Sequence, residues 1–187
     1  LADGAVVSAQ YGHPALKNPT YVHQNHPVVA ALRASDEVEL AGVVLSPEPV
    51  AEDEKRLVSD HAARLCRMVG ADAAIVTKEG GGNADADVSM KMDALEEMGI
   101  TAVGLFAEMA GRDGAGPSLV VPPVHATAMV STGNYDEPVL LERVEQALGG
   151  PRLDIADARS TDEVELPAAA VYGSLNPLGW GRVTCAE

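Results

Sequence analysis

The chain has 187 residues, of which 47% are hydrophobic, 3% aromatic and 22% charged, a composition typical of a single globular domain. Its formal net charge is -15 at pH 7, which disfavours nucleic-acid binding and attachment to anionic membranes because both depend on basic surfaces. We therefore expect a soluble protein whose charge-steered partners, if any, are basic.

Cysteine is scarce, since Cys66 and Cys185 are the only two in the chain. Two thiols are too few for an iron–sulfur cluster and do not form a disulfide framework. No run of 18 apolar residues predicts a membrane span, and no signal-peptide pattern opens the sequence. These features together predict a cytoplasmic location.

Strands and helices alternate in the first half of the chain. An apolar run at Gly4–Ser8 is typical of a buried parallel strand. Pro27 starts a short helix to about Arg33, and Val38–Leu45 is predicted as a second strand. The segment Val50–Val69 is the strongest helix prediction.

The long helix carries a periodic apolar pattern that predicts its buried face. Val58, Ala62, Leu65 and Val69 recur at the spacing of one helical stripe. Gly70 follows where a residue with a left-handed conformation commonly ends a helix.

The alternation continues in the second half. The remaining predicted elements are a strand at Ala73–Thr77, a helix at Asp85–Met98, strands at Thr101–Phe106 and Ala126–Ser131, and a last helix that follows Asn134-Tyr135-Asp136 and extends to about Leu148. Val88, Met92 and Leu95 share one face of the helix that Gly99 ends.

This order predicts an α/β fold with an open, mainly parallel sheet of about five strands and covering helices. Residues 1–150 are predicted to form the core domain. Residues 151–187 are predicted to add a C-terminal strand or hairpin extension that packs on the same domain.

The polar residues of interest follow the predicted strands. Ligands of open parallel sheets bind beyond the carboxyl ends of the strands, so these loops are expected to meet at one rim. The expected rim residues are His13, His23, His26, Glu79, Asn83, Glu108, Arg112, Asp113 and Asn134.

The glycine-rich segment Gly80-Gly81-Gly82-Asn83 could hold an anion on backbone N–H groups at a helix start. It lacks the spacing of a dinucleotide site or a phosphate loop. A plain strand-to-helix turn explains the same residues.

His23 and His26 could bind one metal ion, with Glu79 as a further ligand. They could equally hydrogen-bond neighbouring groups and hold the loop. Arg112 could bind a substrate carboxylate in a bidentate fork, or it could clamp the acidic loop between Glu108 and Asp113.

Several distinctive blocks follow one another along the sequence. They are Asp3-Gly4-Ala5-Val6-Val7-Ser8 with Lys17-Asn18-Pro19-Thr20-Tyr21-Val22-His23, then Glu79 to Asp87, Ala110-Gly111-Arg112-Asp113-Gly114-Ala115, Thr132-Gly133-Asn134 and Tyr172-Gly173-Ser174-Leu175-Asn176. These blocks resemble the substrate-carbonyl subunit, component B, of glycine/sarcosine/betaine reductases. Their order covers nearly the whole chain and resembles the C-terminal half of that family's proprotein.

The resemblance implies reductive cleavage of a C–N bond in a small amino-acid-like substrate. It implies a partner subunit that carries a thiol or selenol, and an N-terminal-half subunit or segment. The family is also expected to carry a pyruvoyl group made at an internal Asn-Cys pair. Here Gln10-Tyr11 stands at that place, and because tyrosine has no thiol we expect no pyruvoyl group and no other cofactor.

Two interpretations of the resemblance stay open, together with a third that is independent of it. In the first, Tyr11, His23 and Glu79 are catalytic, and His13, His26, Gly81, Gly82, Asn83, Glu108, Arg112, Asp113 and Asn134 bind substrate. In the second, the chain is a non-catalytic binding or assembly subunit of such a complex. The third is a metal-dependent hydrolase that uses His23 and His26.

Overall fold

The computed structural model describes residues 27–78, 82–168 and 170. The described helices are α1 (Pro27–Ala34), α2 (Glu52–Met68) and α3 (Asn83–Glu97), with a 3-10 turn at Asp154–Ala156. The described strands are β1 (Ala73–Val76), β2 (Thr101–Glu108), β3 (Ala128–Asn134), β4 (Pro138–Leu141), β5 (Arg152–Leu153), β6 (Ala158–Arg159) and β7 (Val164–Pro167). The predicted first strand, Gly4–Ser8, lies outside the described residues.

A parallel sheet forms the centre of the fold, in the order β1-β2-β3. Ile75 pairs with Val103, and Val103 pairs with Ala128. The α/β prediction is confirmed, although the described parallel sheet has three strands where about five were expected.

Helix α3 supplies the main core packing. Val88, Met92 and Leu95 are 2%, 1% and 4% exposed, as their spacing predicts. They lie in one hydrophobic cluster with Ala102 and Phe106 of β2. Gly99 follows the helix at φ +75°, the left-handed conformation expected after a helix end.

Helix α2 is confirmed, but its predicted buried face is only partly right, because Val58 and Ala62 are half-buried. Leu65 and Val69 are 49% and 58% exposed, whereas Lys55, Ser59 and Ala63 are buried. The buried stripe is decided by the neighbouring helix, because Lys55 pairs with a carboxylate of α3. Cys66 is half-buried against the core, and burial raises the pKa of its thiol.

Two predicted elements are absent from the described structure. Residues 38–45 are not a strand there, and Val43 and Leu45 are 56% and 74% exposed. An apolar run becomes a strand only where a neighbouring strand accepts its backbone hydrogen bonds, and no described strand pairs with this segment.

The predicted last helix is also wrong, since β4 occupies Pro138–Leu141 in its place. β4 pairs antiparallel with β7, and Val139 and Leu141 pack on a second cluster that contains Val164 and Leu166. This long-range pairing outweighs local helix preference. The predicted C-terminal extension does contain strands, β5 to β7, and its division from residues 1–150 stays a prediction.

Among the described helices, none has both the length and the hydropathy that a membrane crossing requires.

Candidate functional site

A bulge at the carboxyl end of β3 positions Asn134 beside β2. Phe106 pairs with Ser131, yet Glu108 pairs with Asn134, so β3 contains one extra residue between these two pairs. Gly133 has φ +130° there, a conformation that glycine adopts without strain. Bulges of this kind redirect side chains at sheet ends.

The Asn134 side chain holds the loop that follows β2. Its Oδ1 accepts hydrogen bonds from Ala110 N and Asp136 N, both at 3.1 Å, and its Nδ2 donates to Gly111 O at 2.7 Å. Gly111 N also donates to Asp136 Oδ2 at 3.0 Å. Backbone groups of the loop are therefore satisfied by residues at the end of β3.

Glu108 closes the other end of this loop. Its Oε2 accepts a hydrogen bond from Ser118 Oγ at 2.5 Å, and its backbone carbonyl accepts one from Tyr135 N at 2.9 Å. Within the loop, Asp113 Oδ1 accepts a hydrogen bond of 3.1 Å from Ala115 N and so stabilises the turn there.

Arg112 extends from the loop toward the C-terminal hairpin. Its guanidinium forms an ion pair with Glu165 of β7, with side chains 73% and 41% exposed. An exposed pair of this kind contributes at most about 1 kcal/mol to stability, so the guanidinium is accessible to a competing carboxylate.

Four of the predicted rim residues lie in or beside one loop, residues 108–118. Glu108 and Asn134 hold its ends, Asp113 bonds a turn within it, and Arg112 extends from it to Glu165. The rim also contains Thr132, whose buried Oγ1 has no hydrogen-bond partner in the described structure. The predictions for Tyr11, His13, His23, His26, Glu79 and Gly81 lie outside the described residues.

Gly82 and Asn83 stand at the start of α3. Gly82 has φ +70°, and Asn83 Nδ2 donates to Pro49 O at 3.3 Å. No described contact joins Asn83 directly to Asn134. The first turn of α3 does reach the segment after the loop, because Val120 N donates to Asp85 Oδ2 at 3.4 Å.

A buried ion-pair network at the start of α3 was missed by sequence reasoning. Lys55 of α2 and Lys91 of α3 both pair with Asp87. Lys78, two residues beyond β1, pairs with Asp85, and its ammonium lies 5.2 Å from the Phe106 ring centre. Buried charges are stable only when they are paired in this way.

Glu48 lies close enough to this network for the charges of the network to act on it. Loss of hydration, followed by the negative charge of Asp87, raises the pKa of the Glu48 carboxyl. Ser59, one helical turn from Lys55, has a buried Oγ without a hydrogen-bond partner in the described structure. Of these ion pairs, only Asp87–Lys91 has a sequence signal, because residues four apart are neighbours on a helix.

No described group of three or more His, Cys, Asp or Glu side chains could hold a metal ion. A shallow depression of about 560 Å³ lies between α1 and residues 38–43, and its lining contains none of the predicted site residues.

Comparison with known proteins identifies the family. The family model described as glycine/sarcosine/betaine reductase component B subunits matches residues 1–185. The chain is 36% identical over 195 residues to the glycine reductase complex component B subunits alpha and beta of Peptoclostridium acidaminophilum, covering 98% of this chain and 45% of that protein.

Two further relatives from the same organism support the match. The betaine reductase complex component B subunit alpha is 39% identical over 151 residues, covering 80% of this chain and 34% of that protein. The sarcosine reductase complex component B subunit alpha is 32% identical over 197 residues, covering 98% of this chain and 45% of that protein. No solved structure matches the chain.

The chain spans less than half the length of these relatives. The family suggested by the sequence blocks is confirmed: the chain belongs to the glycine/sarcosine/betaine reductase component B subunits.

Proposed function

We propose that this chain is a subunit of a glycine/sarcosine/betaine reductase-like oxidoreductase that cleaves a C–N bond in a small amino-acid-like substrate. The observation that carries the proposal is the family match across residues 1–185. The relatives are named as components of glycine, betaine and sarcosine reductase complexes, and the substrates in these names share a carboxylate and a C–N bond.

The proposed reaction needs other chains. A thiol- or selenol-bearing subunit would attack the substrate carbon and release the amine, so that the carbon–nitrogen bond breaks as a carbon–sulfur or carbon–selenium bond forms. The part of component B beyond this chain's match would complete the substrate site.

The pyruvoyl group that the resemblance implies does not fit residues 10 and 11 of this chain. Gln10-Tyr11 stands where the resemblance leads us to expect an Asn-Cys pair. Tyrosine offers no thiol to attack the preceding carbonyl and cannot be converted to a pyruvoyl group. We therefore propose that residue 11 carries no such carbonyl. Intact mass and hydrazide labelling test this, and a labelled carbonyl at residue 11 would contradict it.

At the rim, Arg112 is proposed to bind the substrate carboxylate. Its side chain is 73% exposed, and a guanidinium binds a carboxylate through two parallel hydrogen bonds. Glu165 already supplies a carboxylate to it, so the substrate would replace Glu165 as the partner.

Reconstitution of the complex tests the proposed function. The chain would be combined with the remaining component B polypeptide and the thiol or selenol subunit. Release of ammonia from glycine, methylamine from sarcosine or trimethylamine from betaine would be measured. Amine release that depends on this chain is expected, and its absence with all three substrates would contradict the proposal.

Arg112→Ala and Glu165→Gln form a matched pair of variants for the carboxylate role. Arg112→Ala should raise the apparent KM at least about tenfold, the scale of losing one charged hydrogen-bonded partner. Glu165→Gln should leave KM unchanged or lower it, because it frees the guanidinium. An unchanged KM in Arg112→Ala would remove Arg112 from the site.

A non-catalytic assembly role is the second candidate. It is favoured by the hydrogen bonds of Asn134 and Glu108, whose side chains hold the chain's own loop. In that case the chain would be needed for complex formation, and amine release by the assembled complex would be insensitive to Arg112→Ala.

A further inference from the structure

The parallel sheet has a second face that differs from the one packed on α3. Because side chains alternate along a strand, the register assigns Ala73 and Ile75 of β1, Thr101, Val103 and Leu105 of β2, and Ala128 and Val130 of β3 to one side. We call these seven residues the open face. Ala74, Val76, Ala102 and Phe106 alternate with them and lie in the core with α3.

The open face is apolar and accessible. Ile75 and Val130 are 43% and 52% exposed, and Val103 and Leu105 are half-buried. On the other side, Ala102 and Phe106 are both 0% exposed. None of the seven residues is charged, although the whole chain has a net charge of -15.

An all-parallel sheet normally has both faces covered. Charged residues are also depleted at the centres of protein interfaces. An uncharged, partly exposed face on such a sheet therefore indicates that a further layer packs there in the assembled protein.

The lengths of the relatives indicate what forms that layer. The chain matches only 45% of the glycine reductase component B polypeptide of Peptoclostridium acidaminophilum. More than half of that polypeptide therefore lies outside the match and is available to supply an apolar surface.

We propose that the open face is the docking surface for the part of component B that lies outside this chain. The layer that it receives is apolar and contacts Ile75 and Val130, the most exposed large side chains of the open face. This inference rests on the proposed assembly of component B and is independent of the reaction that the complex performs.

The test measures binding between two purified proteins without substrate. One is this chain, and the other is the unmatched part of the Peptoclostridium acidaminophilum component B polypeptide, produced separately. The test variant is Ile75→Thr/Val130→Thr, which keeps β-branched side chains and so preserves strand preference. The control is Leu65→Gln/Met68→Gln on α2, where the exposed fractions are 49% and 81%.

The double threonine variant should raise the Kd at least about tenfold, because two apolar contacts are removed from the interface. The control should bind like the unaltered chain. Circular dichroism and thermal unfolding of each variant would establish that it remains folded, so that a lost interaction is not mistaken for a lost fold.

Three results would overturn the proposal. They are an unchanged Kd in Ile75→Thr/Val130→Thr, no binding by the unaltered chain, and a dimer of this chain alone that the double variant dissociates. The last result would make a second copy the occupant of the open face. Because no amine release is measured, failure here is distinct from failure of the proposed reaction.

Discussion

Lys55 of α2 and Asp87 of α3 lie 32 residues apart in the chain and form an ion pair with side chains 5% and 1% exposed. Asp87 also pairs with Lys91 at 3.3 Å. One buried carboxylate thus pairs with two lysines, and its bond to Lys55 joins α2 to α3.

Removing that carboxylate should destabilise the fold strongly. Asp87→Ala leaves two buried ammonium groups without their partner, and the free energy of unfolding should fall by about 3–5 kcal/mol. Urea unfolding followed by circular dichroism measures the loss. Arg56→Ala is the control. The side chains of Arg56 and Glu52 are 67% and 70% exposed, so their ion pair should contribute at most about 1 kcal/mol. Similar losses of unfolding free energy in both variants would contradict the prediction that burial makes the Asp87 ion pairs stronger.

Asp93 should make a contribution to stability that depends on pH. Burial acts to raise the pKa of Asp93, but bonds from the backbone N–H groups of Val124, His125 and Ala126 outweigh it and the pKa is lowered. The stabilisation is therefore present above the unfolded-state pKa and is lost as pH falls through the folded-state pKa.

Asp93→Asn should reduce the free energy of unfolding by about 1–3 kcal/mol near pH 7. The difference from the unaltered chain should shrink as pH falls below the ordinary aspartate value of 3.8. Urea unfolding across this range measures it, with Asp60→Asn on the exposed side of α2 as the control. A difference that does not change with pH would contradict the assignment.

The Asn134 amide should control the loop after β2. Asn134→Ala removes three hydrogen bonds, two from Ala110 N and Asp136 N and one to Gly111 O. Hydrogen exchange at Ala110 and Asp136 should accelerate, and the free energy of unfolding should fall by about 1–3 kcal/mol.

The matched control for this loop is Asp113→Ala, which removes the 3.1 Å bond from Ala115 N. Faster exchange should then be confined to the turn around Ala115. If Asn134→Ala leaves exchange at Ala110 unchanged, Asn134 does not hold the loop.

Gly104 of β2 should not tolerate a side chain. A Cβ there would lie 2.6 Å from Phe106 Cε1 and 3.0 Å from Met92 Sδ, and both of those residues are buried. Gly104→Ala should lower the free energy of unfolding by about 1–3 kcal/mol through overpacking. Gly42→Ala, where nothing lies within 4 Å, should have little effect, and equal thermal stability of the two variants would refute the packing explanation.

Local sequence patterns correctly predicted the features that depend on one segment alone, such as the apolar spacing of a helix and the glycine at its end. The spacing of Val88, Met92 and Leu95 identified the buried face of α3, and Gly70 and Gly99 marked helix ends with positive φ. Family blocks spread along the chain likewise identified component B. These features need no knowledge of which segment packs on which.

Tertiary packing decided the rest. Residues 38–45 have strand composition but no described pairing partner, while β4 forms where a helix was predicted because β7 pairs with it. Lys55 is buried rather than Leu65 because Asp87, far along the chain, faces α2. A periodic apolar pattern predicts that a helix has an apolar face. Whether that face is buried depends on which other segment packs against it, and this is decided only in the folded chain.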